Sequence, residues 1–318
     1  MNAPDGGALR RLRARLAHLK VVAGYAVRPF HATSQLLGLR KELERYIQYW
    51  PPGHFYSPIP STDDVRRREA EVFAFPREIA GVDLNEPGQL AMIRALAEHY
   101  PSNPYVGGTR TVRYTADNPN FAPAEAITLY CMIFHRRPKR IIEVGCGYSS
   151  LVILDALDEL GDPDVEVTMI EPHAELLRSL LRPGDERRVT ILERPLQEVR
   201  TDVFAGLRDG DILFIDSTHV CKTDSDVTHA LGRVLPSLAP GVSVHFHDIF
   251  WPFEYPREWV YQGRAWNEAY ALRAFLQYNT AFRIELFLSY LWYVHEDALT
   301  AAMPLVAANG SSLWLRRV

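Results

Sequence analysis

The segment IIEVGCGYSS, residues 141–150, constrains the fold of this chain more than any other. A strand buried on both faces of a parallel sheet needs a continuous run of apolar and β-branched residues. Here the run gives way to Gly145 and Gly147, which let a backbone take tight conformations and come close to a ligand. Tyr148, Ser149 and Ser150 then open a helix whose first amides need acceptors. One carboxylate, Glu143, interrupts the run just before the turn. Burying it uncompensated is costly. It needs a partner, and a ligand's cationic group is one candidate.

The unit is the first of a βαβα series. Strands are expected at Arg140–Val144, Val165–Ile170, Val189–Leu192, Asp211–Ile215 and Val242–Phe246, with helices at about 149–160, 173–182 and 223–235. Strands alternating with helices form a parallel sheet covered on both faces. The expectation is a Rossmann-like, doubly wound α/β sheet. A helix near 264–278, then Phe282–Leu288 and Ser312–Leu315, would complete it with an antiparallel C-terminal edge.

Ahead of the sheet, residues 1–100 read as an N-terminal helical cap, 101–137 as a covering loop with a lead-in helix over 123–136, and 138–318 as the sheet domain. Leu9, Leu12, Leu16, Leu19 and Ala23 recur at helical spacing among arginines. Such a basic amphipathic helix docks on its own domain, or meets an anionic membrane surface or a partner protein. A second helix is expected over Ser34–Tyr49 and a third over 87–99, with the proline-rich stretch 51–62 as an extended connector. The segment Pro101–Pro123 is rich in turn formers and aromatics. It is too long for a simple connection, and such loops are often functional.

Bulk properties narrow the function. A formal net charge of -4 gives no basic field for nucleic acid. Three scattered cysteines make neither a disulfide framework nor a zinc ladder. No apolar run is long enough to cross a bilayer. A cytoplasmic enzyme acting on a small molecule or glycan is expected; the oligomeric state cannot be read.

Ligands of open α/β sheets bind at the carboxyl ends of the strands, where this chain places its polar residues. Glu171 and Pro172 follow the second strand; the carboxylate could also cap the next helix. After the fourth strand come Asp216, Ser217, His219 and Lys222, and after the fifth His245, His247 and Asp248. Strands four and five should be neighbours. Asp216, His247 and Asp248 are therefore expected to converge on a magnesium or manganese ion that acidifies a substrate hydroxyl. The alternative is that one histidine is a satisfied core residue and Asp248 caps a loop. His219 is the candidate general base, with an imidazole near neutral pKa, or it only orients a substrate acidified by the metal.

A dinucleotide fingerprint would read G-x-G-x-x-G, but Ser150 takes the third glycine position. The E-x-G-x-G pattern resembles instead motif I of the class I methyltransferases, which bind S-adenosylmethionine. The resemblance implies that Glu143 positions the methionine ammonium, that Gly145, Gly147, Tyr148, Ser149 and Ser150 pass under the ligand, and that Glu171 holds the ribose hydroxyls. It also implies an adenine contact from Gln197, or failing that Glu198, and a covering loop carrying Tyr105, Tyr114, Asn118 and Phe121. The I-D-x-x-H segment, the later H-D-I and the W-P-F-E-Y-P run resemble the metal-dependent O-methyltransferases of sugars and natural products. There Asp216, His219 and Lys222 would be catalytic, Asp216 and Ser217 would also touch the cofactor, and the aromatic segment Trp251–Trp259 would line the acceptor pocket. The resemblance spans roughly residues 110–260. It departs from the Asp-Asn ending of the catechol-type metal triad, since Ile249 stands at the Asn position. Rival readings are a nicotinamide dehydrogenase, a metal-dependent hydroxylase-like relative, and a non-catalytic cofactor-binding protein.

Overall fold

The computed structural model describes residues 50–107, 111–306 and 310–318. The two N-terminal helices expected over residues 9–23 and 34–49 lie outside them. The chain divides between Asp64 and Val65. Residues 65–100, expected in the cap, therefore belong to the same unit as the sheet. In the first unit, the rings of Trp50 and His54 stack 4.2 Å apart.

The second unit is a seven-stranded sheet in the order β3-β2-β1-β4-β5-β7-β6. β1 is Arg140–Val144, β2 Glu166–Ile170, β3 Val189–Leu192, β4 Ile212–Ile215, β5 Ser243–Phe246, β6 Phe282–Phe287 and β7 Leu313–Arg317. The first five run parallel, and β7 pairs antiparallel with β5 on one side and β6 on the other. Every residue of β4 and β5 is buried, as a sheet with both faces covered requires.

Helix α1, Glu86–Ala97, and α2, Pro123–Arg136, precede the sheet. Pro123 suits the first turn of α2, where an N–H would have no partner anyway, and the next ten residues are all buried. α3, Tyr148–Leu160, follows β1; α4, Glu175–Leu180, follows β2; α5, Thr201–Ala205, follows β3. After β4 the helical stretch 226–237 contains a π-helical turn at Ala230–Val234. α6, Arg257–Tyr261, and α7, Glu268–Leu276, come between β5 and β6. α8, Leu288–Val294, and α9, Glu296–Ala302, lie between β6 and β7.

The parallel ladder continues one step past each strand. Gly145 N–H donates to Ile170 O, Glu171 to Leu192 O, Asp216 to Val144 O and His247 to Ile215 O, at 2.8–3.1 Å. These bonds fix the first residue beyond four strands, so the chemistry-bearing side chains stand in one row along the carboxyl edge.

Candidate active site

Three compartments lie along that edge. A cleft of 480 Å³ runs past Gly145, Glu171, Pro172, Gln197 and Lys222, and a recess of 120 Å³ adjoins Gly147, Tyr148, Ser149 and Glu171. A larger cavity of 830 Å³ is lined by His219, His247, Asp248, Glu125 and aromatic side chains. Asp216 lines all three.

The glycine turn is built by contact. Gly145 has φ +80°, and a Cβ there would lie 1.7 Å from the Asp216 carbonyl oxygen. Only glycine fits against the end of β4. Gly147 is extended, at φ -177°, so the tight conformation expected of both glycines belongs to Gly145. Glu171 accepts from Cys146 N–H at 3.1 Å and His173 N–H at 2.8 Å. It holds the turn and the chain entering α4 at once, and its carboxylate still faces both cofactor-side compartments.

Glu143 departs from expectation. It is fully buried and lines none of the three compartments. Its oxygens accept from the hydroxyls of Ser149 and Ser150, both at 2.6 Å, and Ser150 Oγ accepts in turn from Gly147 N–H. Burial lifts the Glu143 carboxyl to about 7, opposed by those hydroxyls. The partner it needs is the start of α3, so the ammonium assignment is not supported by its contacts. Ser149 still borders the recess; Ser150 is spent inside.

The covering loop also divides. Tyr114 is buried, with its hydroxyl donating to Phe121 O at 2.8 Å, so it packs inside the loop and does not face the cofactor cleft. Asn118 donates to Thr115 O and Phe121 O and accepts from the Asn120 and Phe121 amides. It shapes the loop and borders the large cavity, on the acceptor side and not the cofactor side. Phe121 touches both the large cavity and the recess. Arg113 anchors the loop through bonds to Asp185 at 2.7 and 2.8 Å, Asp158 at 2.5 Å and Asp155 at 3.1 Å.

Lys222 lines the cofactor-side cleft, not the acceptor cavity, which removes it from the acceptor chemistry expected of it. Gln197 lies there too, its amide nitrogen donating to Asp224 O. Ser217 Oγ is buried at the junction of the cleft and the large cavity without a hydrogen-bond partner.

His219 dominates the acceptor side. Nδ1–H donates to Glu268 Oε2 at 2.9 Å, while Nε2 lies 3.4 Å from Asp216 Oδ1 and 3.8 Å from Asp248 Oδ2. Burial pulls its pKa down, but hydrogen bonds to Asp216 and Glu268 and their charges lift it to about 10. The ring is an imidazolium at neutral pH, which corrects the expectation of a base titrating near neutrality. Loss of solvent pushes the Asp216 carboxyl up, but the charge of His247 and the bond and charge of His219 hold it below its ordinary value. His219 and Asp248 both have left-handed backbones, φ 59° and 55°, a conformation that costs energy in non-glycine residues and clusters at functional sites.

His245 and His247 have different surroundings. His245 stacks on Phe214 with ring centroids 3.9 Å apart and meets Ser312 Oγ at 3.1 Å. Burial drives its pKa well below the ordinary value; it is a core histidine whose Nδ1 has no hydrogen-bond partner among the described residues. His247 faces the cavity, with Nε2 3.6 Å from Asp248 Oδ1.

The donor types suit a divalent ion, but Asp216, His247 and Asp248 do not close on one point. Among the described residues, the set of His, Cys, Asp and Glu whose ligand atoms all fall within 4.8 Å is Glu125, His245 and His247. Glu125 accepts from Ser311 and Ser312, and His245 Nε2 meets Ser312, while Nδ1 of His245 and Nδ1 of His247 are buried without a hydrogen-bond partner among the described residues. The space between Asp216 and Asp248 holds the His219 ring. Trp251 is likewise in the core, its Nε1–H bonded to Pro76 O, while Phe250, Trp259 and Trp266 form the aromatic wall. Glu125, Glu268, Arg264 and Trp266 carry no strand-end signal and were not anticipated from the sequence.

A parallel sheet with β7 inserted antiparallel, a glycine turn after β1 and an acidic residue after β2 define the class I methyltransferase architecture. A family described as "Methyltransferase domain" matches residues 142–249. An uncharacterized protein of Archaeoglobus fulgidus is 33% identical over 172 residues, covering 51% of this chain and 76% of that protein. Among solved structures, the S-adenosylhomocysteine-bound Podospora anserina methyltransferase PaMTH1 aligns at 15% identity and TM-score 0.43, over 85% of this chain and 98% of its own. The O-methyltransferase TomG from Streptomyces achromogenes, in complex with S-adenosylmethionine, aligns at 15% and 0.40, over 81% and 96%. Residues 142–249 therefore carry a methyltransferase domain, on the fold of the class I S-adenosylmethionine-dependent enzymes. No helix among the described residues is long and apolar enough to cross a membrane.

Proposed function

We propose that this methyltransferase transfers the methyl group to a hydroxyl of a small molecule or sugar bound in the 830 Å³ cavity. The observation that carries the reading is Asp216, which lines that cavity and both cofactor-side compartments. A methyl donor and an acceptor can meet only where the compartments join. Glu171 and the backbone after Gly145 would hold S-adenosylmethionine, with Gln197 farther along the cleft.

The sulfonium donor is already activated, so the protein's task is in-line alignment. Asp216 accepts the acceptor hydroxyl's hydrogen bond beside the junction. Glu268 locks the ring of His219, and His219 holds Asp216 and Asp248 in place. The hydroxyl proton passes to this carboxylate–imidazole cluster as the methyl moves. His219 keeps its own proton until about pH 10, so it acts as a fixed cation across the neutral range and the pH–rate profile should show no His219 step there.

A metal-assisted version is the second reading, favoured by the number of carboxylates around the cavity: Asp216, Asp248, Glu125 and Glu268 against His219 and His247. Asp216 and Asp248 would hold the ion with His219 or His247, and a bound divalent ion would acidify the hydroxyl. Elemental analysis, with assays in excess chelator, separates the two readings.

Calorimetry with S-adenosylhomocysteine tests the core of the proposal. Glu171→Ala should weaken binding about 10- to 100-fold, the worth of charge-assisted hydrogen bonds. Unchanged affinity would remove Glu171 from the ribose. Tighter binding of NAD than of S-adenosylhomocysteine would overturn the whole reading.

A further inference from the structure

We propose that the acceptor carries an anionic group, a carboxylate or a phosphate, and that Arg264 recognises it. This rests on reading the 830 Å³ cavity as the acceptor site. Among the described residues lining that cavity, Arg264 is the one lysine or arginine, set against Asp216, Asp248 and Glu125. The cavity is therefore polarised. Its acidic end is where the hydroxyl reacts. There the His219 imidazolium is already matched by Asp216, Asp248 and Glu268; Arg264 is the cation left for an anion.

The state of Arg264 supports a ligand role. Several arginines of the unit are paired, Arg113 with three aspartates, Arg136 with Glu285 and Arg257 with Glu69, whereas Arg264 is the arginine that lines the cavity. Arg264 has no carboxylate partner among the described residues. Its Nε donates to Gln262 Oε1 at 3.2 Å, in solvent. Its guanidinium lies instead over Trp259, 3.9 Å from the ring centroid, and 5.2 Å from that of Trp266. A guanidinium stacked on an indole keeps both terminal nitrogens free for two-point binding of a carboxylate or phosphate.

The position is held from the reaction centre. Asn267 and Glu268 N–H both donate to His219 O at 3.1 Å. The Asn267 side chain bonds both the N–H and the carbonyl of Cys221. Ala265, between Arg264 and Trp266, is left-handed at φ 51°, a strained conformation that its surroundings must impose. The Trp266 ring sits 4.5 Å from that of His219. One indole thus separates the proposed anion site from the reacting hydroxyl, and Trp259 and Trp266 offer apolar faces to the body of the acceptor. The class implied is a hydroxylated ring bearing an acidic group.

Tryptophan fluorescence quenching in saturating S-adenosylhomocysteine reads this directly. The probes are 3,4-dihydroxybenzoate beside 3,4-dihydroxybenzamide, and glucose 6-phosphate beside glucose. In at least one pair the anion should bind about ten-fold or more tightly than its neutral partner. Which pair responds separates carboxylate from phosphate. Arg264→Gln should erase the preference and Arg264→Lys should keep part of it, with S-adenosylhomocysteine affinity unchanged in both. No preference for the anion in either pair, or a preference that survives Arg264→Gln, overturns the proposal. Failure of the wild type to bind S-adenosylhomocysteine would instead sink the reading on which it rests.

Discussion

The two halves of the active-site edge solve the same problem in opposite ways. On the cofactor side, polar groups are matched before any ligand arrives: Glu143 by two serine hydroxyls, Glu171 by two amides. On the acceptor side, charge is concentrated and incompletely matched. His219 faces three carboxylates, two of its neighbours along the edge are strained or unpartnered, and Arg264 has no counter-ion among the described residues. A compartment that takes one invariant ligand can be finished in advance. One that must recognise a particular acceptor keeps its strong interactions open.

The sharpest way to break this comparison is at the point where the halves touch. Gly145→Ala puts a methyl group into the Asp216 carbonyl and a side chain at positive φ. The expected loss is more than about 4 kcal/mol of stability, with cofactor binding lost too. Gly147→Ala is the control: its Cβ would meet only Leu176 Cδ2, at 3.8 Å. It should melt like the wild type and weaken S-adenosylhomocysteine only if the ligand passes there. Equal melting temperatures for the two variants would show that the halves are not mechanically joined at Gly145.

Next in size is the anchor of the covering loop. Arg113→Met leaves Asp155 and Asp185 buried without their cation, and breaking such a pair costs about 3 kcal/mol. The Arg113 hydrogen bond holds the Asp185 carboxyl below its usual value, and for Asp158 the bonds to Arg113 and Arg188 outweigh burial. Stability from depressed carboxylates is complete above their unfolded value, about 4, and fades as pH falls below it. The gap in unfolding free energy between wild type and variant should therefore shrink below pH 4. A gap independent of pH would mean that the aspartates contribute nothing through charge.

The smallest effect concerns Glu143. Its raised carboxyl stabilises the fold in protonated form, and that contribution is lost as pH rises through about 7. Glu143→Gln should match the wild type near pH 4 and exceed it by about 2 kcal/mol at pH 8.5. Denaturant melts at the two pH values check this. If the variant instead loses S-adenosylhomocysteine affinity at unchanged stability, the carboxylate does reach the ligand and the cofactor half is less complete than its contacts show.

The fold could be read because buried parallel strands are continuous apolar runs, and β1 and β3 begin and end where the pattern places them. α8 was hidden by the same rule. LSYLWYV follows β6 without a polar break, and apolar runs alone do not separate strand from helix. Asp216, His219, His247 and Asp248 could be read as a group because they stand just beyond two neighbouring strands. Glu125 comes from α2, Glu268 from the start of α7 and Arg264 from the loop before it. Nothing in local pattern announces which helix will reach over the sheet edge. The hydroxyls that satisfy Glu143 were within seven residues of it. Attention to the first turn of α3 would have found them.

β7 enters the sheet antiparallel, so the chain just before it lies at the edge where the parallel strands end. Ser311 and Ser312 there reach Glu125, Asp248 and His245. The residues of the cofactor half have all been synthesised once the chain passes Asp226. The acceptor half waits for a segment made after every other strand. On the ribosome the residues that border the smaller compartments are therefore made well before the segment that closes the large cavity.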